Sequence, residues 1–133
     1  MGRVWSENKE DWTELPPDWN ETRYKDPETG GEKGQKPARM ASAPAYALEV
    51  LAKVYGHGAE KYAPHNYRKG YPWSLSIDAL WRHLLLFQDG EDLDPESGYP
   101  HMAHVAWHAL TLVQFMADHP EKDDRYKESD DGN

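Results

Sequence analysis

The run Gly90-Glu91-Asp92-Leu93-Asp94-Pro95-Glu96-Ser97-Gly98-Tyr99-Pro100-His101-Met102-Ala103-His104 decides how this chain folds. Glycine closes helices because it takes the left-handed conformation freely, and proline suits the first turn of a new helix. Gly90 therefore reads as the stop of one helix and Pro100 as the start of the next, with Glu91, Asp92, Asp94 and Glu96 on the short loop between them. His101 and His104 then share one face of the second helix. Carboxylates held close together repel and lose hydration, a cost that a cation among them relieves. Hard oxygens with imidazole suit Mg²⁺ or Mn²⁺ better than Zn²⁺, since the chain holds no thiolate. The competing reading is an exposed acidic loop followed by two surface histidines; the i, i+3 pair directly after the acids favours the metal.

Working outward, residues 77–88 are apolar almost all round, which predicts a helix in the middle of a bundle with Ser74 or Ser76 as its cap. His83 sits among its leucines, either as a satisfied core histidine or as a side chain aimed at the acidic loop. The helix after the loop is expected from 100 to about 119, with Val105, Ala109, Leu112 and Met116 as its apolar row. His101, His104 and His108 fall at i, i+3 and i+7 as a separate stripe. Before all this, Pro44 starts a helix that runs through Tyr55 and on toward Tyr62, with Leu48, Leu51, Ala52 and Tyr55 as its apolar stripe. Residues 63–73 hold Pro64, Gly70 and Pro72 and read as a loop. The fold class is all-α, a helical bundle.

The flanks differ in kind. Residues 1–29 carry Pro16-Pro17 and no helical or alternating period, so they read as an irregular arm. Trp5, Trp12 and Trp19 would dock it on the body or on a neighbouring subunit, the alternative being a disordered tail. Residues 30–39 form a flexible basic loop, in which Lys33, Lys36 and Arg39 either neutralise a triphosphate or belong to a solvated linker. Residues 120–133 are charged and expected to be disordered. The domain plan is thus an arm at 1–29, a helical domain at 30–119 and a tail at 120–133.

At 133 residues there is room for one core and not for two. The net charge of −9 excludes a nucleic-acid polymer as partner, because no basic stripe exists to displace counterions. A small phosphorylated substrate stays open, since bound divalent ions reverse the local sign. No apolar run is long enough to span a membrane, and the first residues lack a signal-peptide core. With no cysteine, the composition points to a soluble cytoplasmic protein, in the host cytoplasm if phage-encoded.

Taken together, Gly30-Gly31 with Lys36-Pro37, Gly58-Ala59-Glu60-Lys61-Tyr62 with Asn66, Arg82-His83-Leu84, the Gly90 to Gly98 run and His101-Met102-Ala103-His104 resemble the phage-type dATP/dGTP diphosphohydrolase family. That family is grouped with the MazZ-like enzymes among the MazG-like all-α nucleoside triphosphate pyrophosphohydrolases. The resemblance covers roughly residues 30–118. It departs at Gln35-Lys36-Pro37-Ala38-Arg39, where the family has Gly-Lys-Pro-Arg, and at His108, where asparagine is common. The paired glutamates and Glu-x-x-Asp of the wider MazG pattern are absent.

The resemblance implies cleavage of a purine nucleoside triphosphate to the monophosphate and pyrophosphate. The substrate would be dGTP, with GTP or dATP as alternatives. It implies two or three Mg²⁺ or Mn²⁺ ions held among Glu91, Asp92, Asp94, Glu96, His101, His104 and His83, with Glu91, Asp94 and His104 catalytic. Lys36, Arg39 and Lys61 are candidates for the outer phosphates, Asn66 or Tyr62 for the base, and Glu60 for a further substrate contact. Relatives of this kind assemble as homodimers or homotetramers. Two other readings remain: a triphosphohydrolase of the HD type, although no histidine here is followed by aspartate, and a non-catalytic metal-binding helical module for oligomerisation.

Overall fold

The computed structural model describes residues 21–128; Trp5, Trp12 and Trp19, and so the docking expected of them, lie outside that span. The chain divides into two compact units, Met1–Pro44 and Ala45–Asn133.

The described part of the first unit is a β-hairpin, β1 (Thr22–Lys25) antiparallel to β2 (Glu32–Gln35), followed by a 3-10 turn at Met40–Ser42. This corrects two expectations: the irregular arm is a strand at Thr22–Lys25, and the flexible loop is a strand at Glu32–Gln35. The turn chemistry explains the hairpin. Asp26 Oδ1 accepts the backbone N–H groups of Glu28 and Thr29, and Gly30 takes φ 77°, which glycine adopts without strain. Those two donors hold the Asp26 carboxyl below its ordinary value. Both strands are almost wholly exposed, so neither shows the alternation that marks a half-buried strand.

The second unit is three helices: α1 (Ala45–Lys61), α2 (Trp73–Gln88) and α3 (His101–Asp118). The helix starting beside Pro44, the one ending before Gly90 and the one beginning after Pro100 all form as expected, and with them the all-α class holds for the body of the chain. Their arrangement differs from the reading in one respect. The central helix is α3, which packs against both α1 and α2. Helix α2 is not enclosed: Trp73, Ser76 and Ala79 are buried, while Trp81 and Leu85 are each 54% exposed. An apolar sequence thus marks a helix with few polar residues, not one surrounded on all sides.

The core follows an unexpected stripe. On α3 the buried residues are His101, His104, Thr111 and Phe115, at i, i+3, i+10 and i+14. The histidine stripe is therefore the buried face, and the expected row of Val105, Ala109, Leu112 and Met116 flanks it, half-buried or exposed. On α1 it is Val54 that is buried, whereas Leu48 and Ala52 are exposed. Trp73 and Phe115 each remove a large aromatic surface from water, worth roughly 2 kcal/mol or more apiece.

Caps fix the ends. The residue before α2 is Pro72, whose side chain cannot cap it, and neither Ser74 nor Ser76 takes that place; the Asp124 carboxylate accepts the backbone N–H and the hydroxyl of Ser74. Arg125 lies over the Trp73 ring at 5.0 Å, and a 3-10 turn occupies Pro120–Lys122. Residues 120–127 are consequently docked on the start of α2 and not disordered as their charge suggested; 129–133 lie outside the description. Among the described residues no helix is long and apolar enough to cross a membrane.

Candidate functional site

The end of α2 and the start of α3 are held together by the loop that the sequence singles out. Gly90 takes φ 106°, and the N–H groups of Gly90 and Glu91 return to the carbonyls of Phe87 and Leu86, which closes α2. The chain then turns back on itself: Asp94 N–H donates to Tyr99 O, Gly98 N–H to Asp94 O, and His101 N–H to Asp92 O. Gly98, at φ 79°, permits that reversal. The loop thereby returns Asp94 to the first turn of α3.

There His83 from α2, Asp94 from the loop and His104 from α3 bring one ligand atom each within 4.8 Å of one another. The His83 and His104 rings stack at 4.4 Å, nearly parallel at 8°. His104 Nε2 is 3.4 Å from Asp94 Oδ2, and the Ser97 hydroxyl stands between them, donating to Asp94 Oδ2 at 3.0 Å and lying 2.7 Å from His104 Nε2. Burial pushes the His83 imidazole down to about 4, and the neighbouring His104 adds to the shift. His104 is lowered too, chiefly by burial, against the pull of the Asp94 carboxylate. For Asp94 burial works upward, but hydrogen bonds from Ser97 and from the Glu96 N–H, with His104 beside it, carry the carboxyl below its ordinary value. The result at neutral pH is two neutral imidazoles and one carboxylate, which a cation could draw on once Ser97 and His104 Nε2 exchange the hydrogen bond between them. This donor set fits a divalent ion of the Mg²⁺, Mn²⁺ or Zn²⁺ kind.

The other expected ligands are placed differently. His101 is fully buried, with Nδ1 2.9 Å from His83 Nδ1 and Nε2 2.7 Å from Glu91 Oε1. Both of its ring nitrogens are thus committed to protein groups, and it joins Glu91 to His83 instead of joining the set of three. Asp92 and Glu96 are exposed, and among the described residues no set of three includes them. His108 lies one turn farther along α3, its ring 6.4 Å from that of His83 and its Nδ1 2.9 Å from the Ser76 hydroxyl, which itself meets the Tyr71 hydroxyl at 2.7 Å. Burial, with His83 beside it, pushes His108 down to about 4.

Beside His108 opens a cleft of about 1080 Å³ between α1, the 62–71 segment and α3. Tyr55, Tyr67 and Trp107 line it, with ring centroids 5.5 to 5.7 Å apart. Of the expected substrate contacts, Tyr62 and Asn66 line this cleft, while Glu60 and Lys61 are exposed at the end of α1, Lys61 Nζ lying 5.5 Å over the Tyr62 ring. Lys36 and Arg39 belong to the first unit, where Lys36 pairs with Glu21 at 3.1 Å.

Sequence reasoning missed Ser97, Ser76 and the three aromatic residues. Ser97 carried a signal, since a serine three residues after an aspartate favours a local side-chain turn. Ser76 read only as a cap, and Tyr55 only as helix stripe.

A family model described as dATP/dGTP diphosphohydrolase, N-terminal, matches residues 27–125 of the chain. The chain is also similar to the dATP/dGTP diphosphohydrolase of Salmonella phage PMBT28, 31% identical over 94 residues, which is 71% of this chain and 31% of that protein. The match thus spans about a third of the length of that relative. No solved structure matches the chain.

Proposed function

Because this chain belongs to the family of dATP/dGTP diphosphohydrolase N-terminal domains, we propose that it cleaves the α–β phosphoanhydride of a purine deoxynucleoside triphosphate, releasing the monophosphate and pyrophosphate. The observation that carries this reading is the convergence of His83, Asp94 and His104 within 4.8 Å, beside a glutamate held by a buried histidine. The relative's name covers dATP and dGTP; dGTP is the substrate proposed here, with dATP and GTP next.

His83, Asp94 and His104 would hold the cation, and His101 positions Glu91. A divalent ion held by these residues would supply charge neutralisation for the phosphate oxygens and a lowered pKa for a water beside them. Glu91 is the general base: only its Oε1 is engaged by His101, it is half-exposed, and it stands where the acidic loop meets the cluster. Water attacks the α-phosphorus and gives its proton to Glu91. The bond from that phosphorus to the bridging oxygen breaks, and pyrophosphate leaves with the electron pair. Asp94 is unsuited to the proton, since its carboxyl is held below the ordinary range. Further ions, up to three in all, would draw on Asp92 and Glu96. Lys36, Arg39 and Lys61 stay in the proposal as candidates for the outer phosphates, Asn66 or Tyr62 for the base, and Glu60 as a further substrate contact. A homodimer or homotetramer belongs to the same proposal, supported by the exposed Trp81, Leu85 and Phe87 of α2; sedimentation at working concentration reads it.

The test is product identification from a panel of nucleoside triphosphates, with Mg²⁺, with Mn²⁺ and with chelator. Monophosphate plus pyrophosphate, formed only with added metal from the purine substrates, is the expected result. Asp94→Asn should lower turnover by at least 100-fold and weaken Mn²⁺ binding while the helical circular dichroism stays unchanged. Intact tripolyphosphate as product would overturn the reading in favour of a triphosphohydrolase. Metal binding without any turnover would favour the non-catalytic module.

A further inference from the structure

The cleft beside the metal cluster has features that the phosphate chemistry does not use. Three of the aromatic rings that line it pack against one another and come from three separate segments, Tyr55 from α1, Tyr67 from the 3-10 turn Asn66–Lys69, and Trp107 from α3. No carboxylate lines it, in a chain with 24 acidic residues. His108 lines it too, and its ring stands 6.4 Å from that of His83, so the cleft and the cation set are separated by one layer of side chains. With His108 Nδ1 taken by Ser76, its Nε2 is the ring nitrogen left to meet such a ligand.

At the other side of the cleft stands Asn66. Its backbone N–H is bonded to Ala63 O, but its carboxamide has no hydrogen-bond partner among the described residues. It enters directly after His65, which adopts φ 64°, a left-handed conformation uncommon outside glycine, and which is anchored by Arg68 Nε donating to its Nδ1 at 3.0 Å. A held backbone whose half-exposed amide no protein group engages, beside an aromatic wall, is an arrangement that can recognise a planar heterocycle edge-on while its face stacks.

Resting on the reading above, we propose that this cleft is the nucleobase site and that Asn66 is what admits both purines. Adenine presents a donor at its 6-amino group next to an acceptor at N1, and guanine presents the reverse, an acceptor at O6 next to a donor at N1. A carboxamide carries one acceptor and one donor side by side, and a half-turn of the amide exchanges them. One asparagine thus pairs with either base through two hydrogen bonds. The amide does not discriminate against pyrimidines, which offer the same two orders; the aromatic wall does, because a purine stacks more surface on it.

The experiment is equilibrium dialysis of deoxyguanosine, deoxyadenosine and thymidine against the metal-free protein, so that neither phosphate nor catalysis enters. Both purine nucleosides should bind within about threefold of each other, and thymidine about tenfold more weakly. Asn66 lies in a short surface turn, so its variants keep the fold. Asn66→Asp offers acceptors only, which suits the N1–H and 2-amino group of guanine and opposes N1 of adenine; its preference should shift toward deoxyguanosine by tenfold or more. Asn66→Leu should weaken both purines. Tryptophan emission should change on binding, and Trp107→Phe should remove that change. Thymidine binding as tightly as the purines, or Asn66 variants binding both purines like the parent, would overturn the proposal. Purine binding without cleavage of any triphosphate would leave it standing and sink the catalytic reading; cleavage by a protein that binds no nucleoside would do the reverse.

Discussion

His101 shows most directly how one residue's role depends on what surrounds it. It follows Pro100 on the first turn of α3, and a histidine three residues before another on a helix is a natural ligand pair. The fold instead buries it completely and engages both nitrogens, one with His83 and one with Glu91. A group so placed positions its neighbours, and its removal leaves two polar partners and a void. His101→Ala should therefore destabilise the protein by about 3 kcal/mol, read as a shift in the urea midpoint, as well as abolish activity. An alanine variant of normal stability would show that the ring is a dispensable ligand. Asp94 is the contrasting case, since asparagine has the same shape as the carboxylate it replaces and should spare the fold.

At the scale of the element, two glycines should respond in opposite directions. Gly90 closes α2 at φ 106°, and nothing lies within 4 Å of where a Cβ would stand, so the cost of Gly90→Ala is one of backbone conformation alone, about 1–2 kcal/mol. Gly56 sits inside α1 in ordinary helical backbone, again with open space around it, and Gly56→Ala should gain up to about 1 kcal/mol by restricting the unfolded chain. Thermal unfolding of the two variants checks the signs; stabilisation by Gly90→Ala would show that the loop is not held as described. The same glycine–proline punctuation made the ends of α2 and α3 legible. It could not reveal the hairpin, because strands exposed on both faces leave no periodic pattern to read.

For the whole molecule, two half-buried neutral histidines set a pH dependence. His83 and His108 are pushed by burial down to about 4, against an ordinary 6.5. Between those values the unfolded chain binds more protons than the folded one, so stability is fully present above pH 6.5 and is lost as pH falls toward 4. His119 is raised, first by the Arg68 carbonyl that accepts its N–H, and acts in the opposite sense, its share fading as pH rises through its folded value. Urea unfolding in chelator should give a lower midpoint at pH 5 than at pH 7.5, and His108→Asn, which cannot titrate, should flatten the difference. An equal midpoint at both pH values would mean that the two rings are hydrated. The sequence by itself determined the helices, the acidic loop and the stripe of histidines, because capping residues, charge spacing and a 3.6-residue period are local properties of the chain. Only the tertiary structure decided that the stripe faces inward, that α3 and not α2 is central, and that His83, Asp94 and His104 meet while Asp92 and Glu96 do not. Those outcomes depend on which faces of separate helices are pressed together, a relation between residues distant in sequence that no local period encodes.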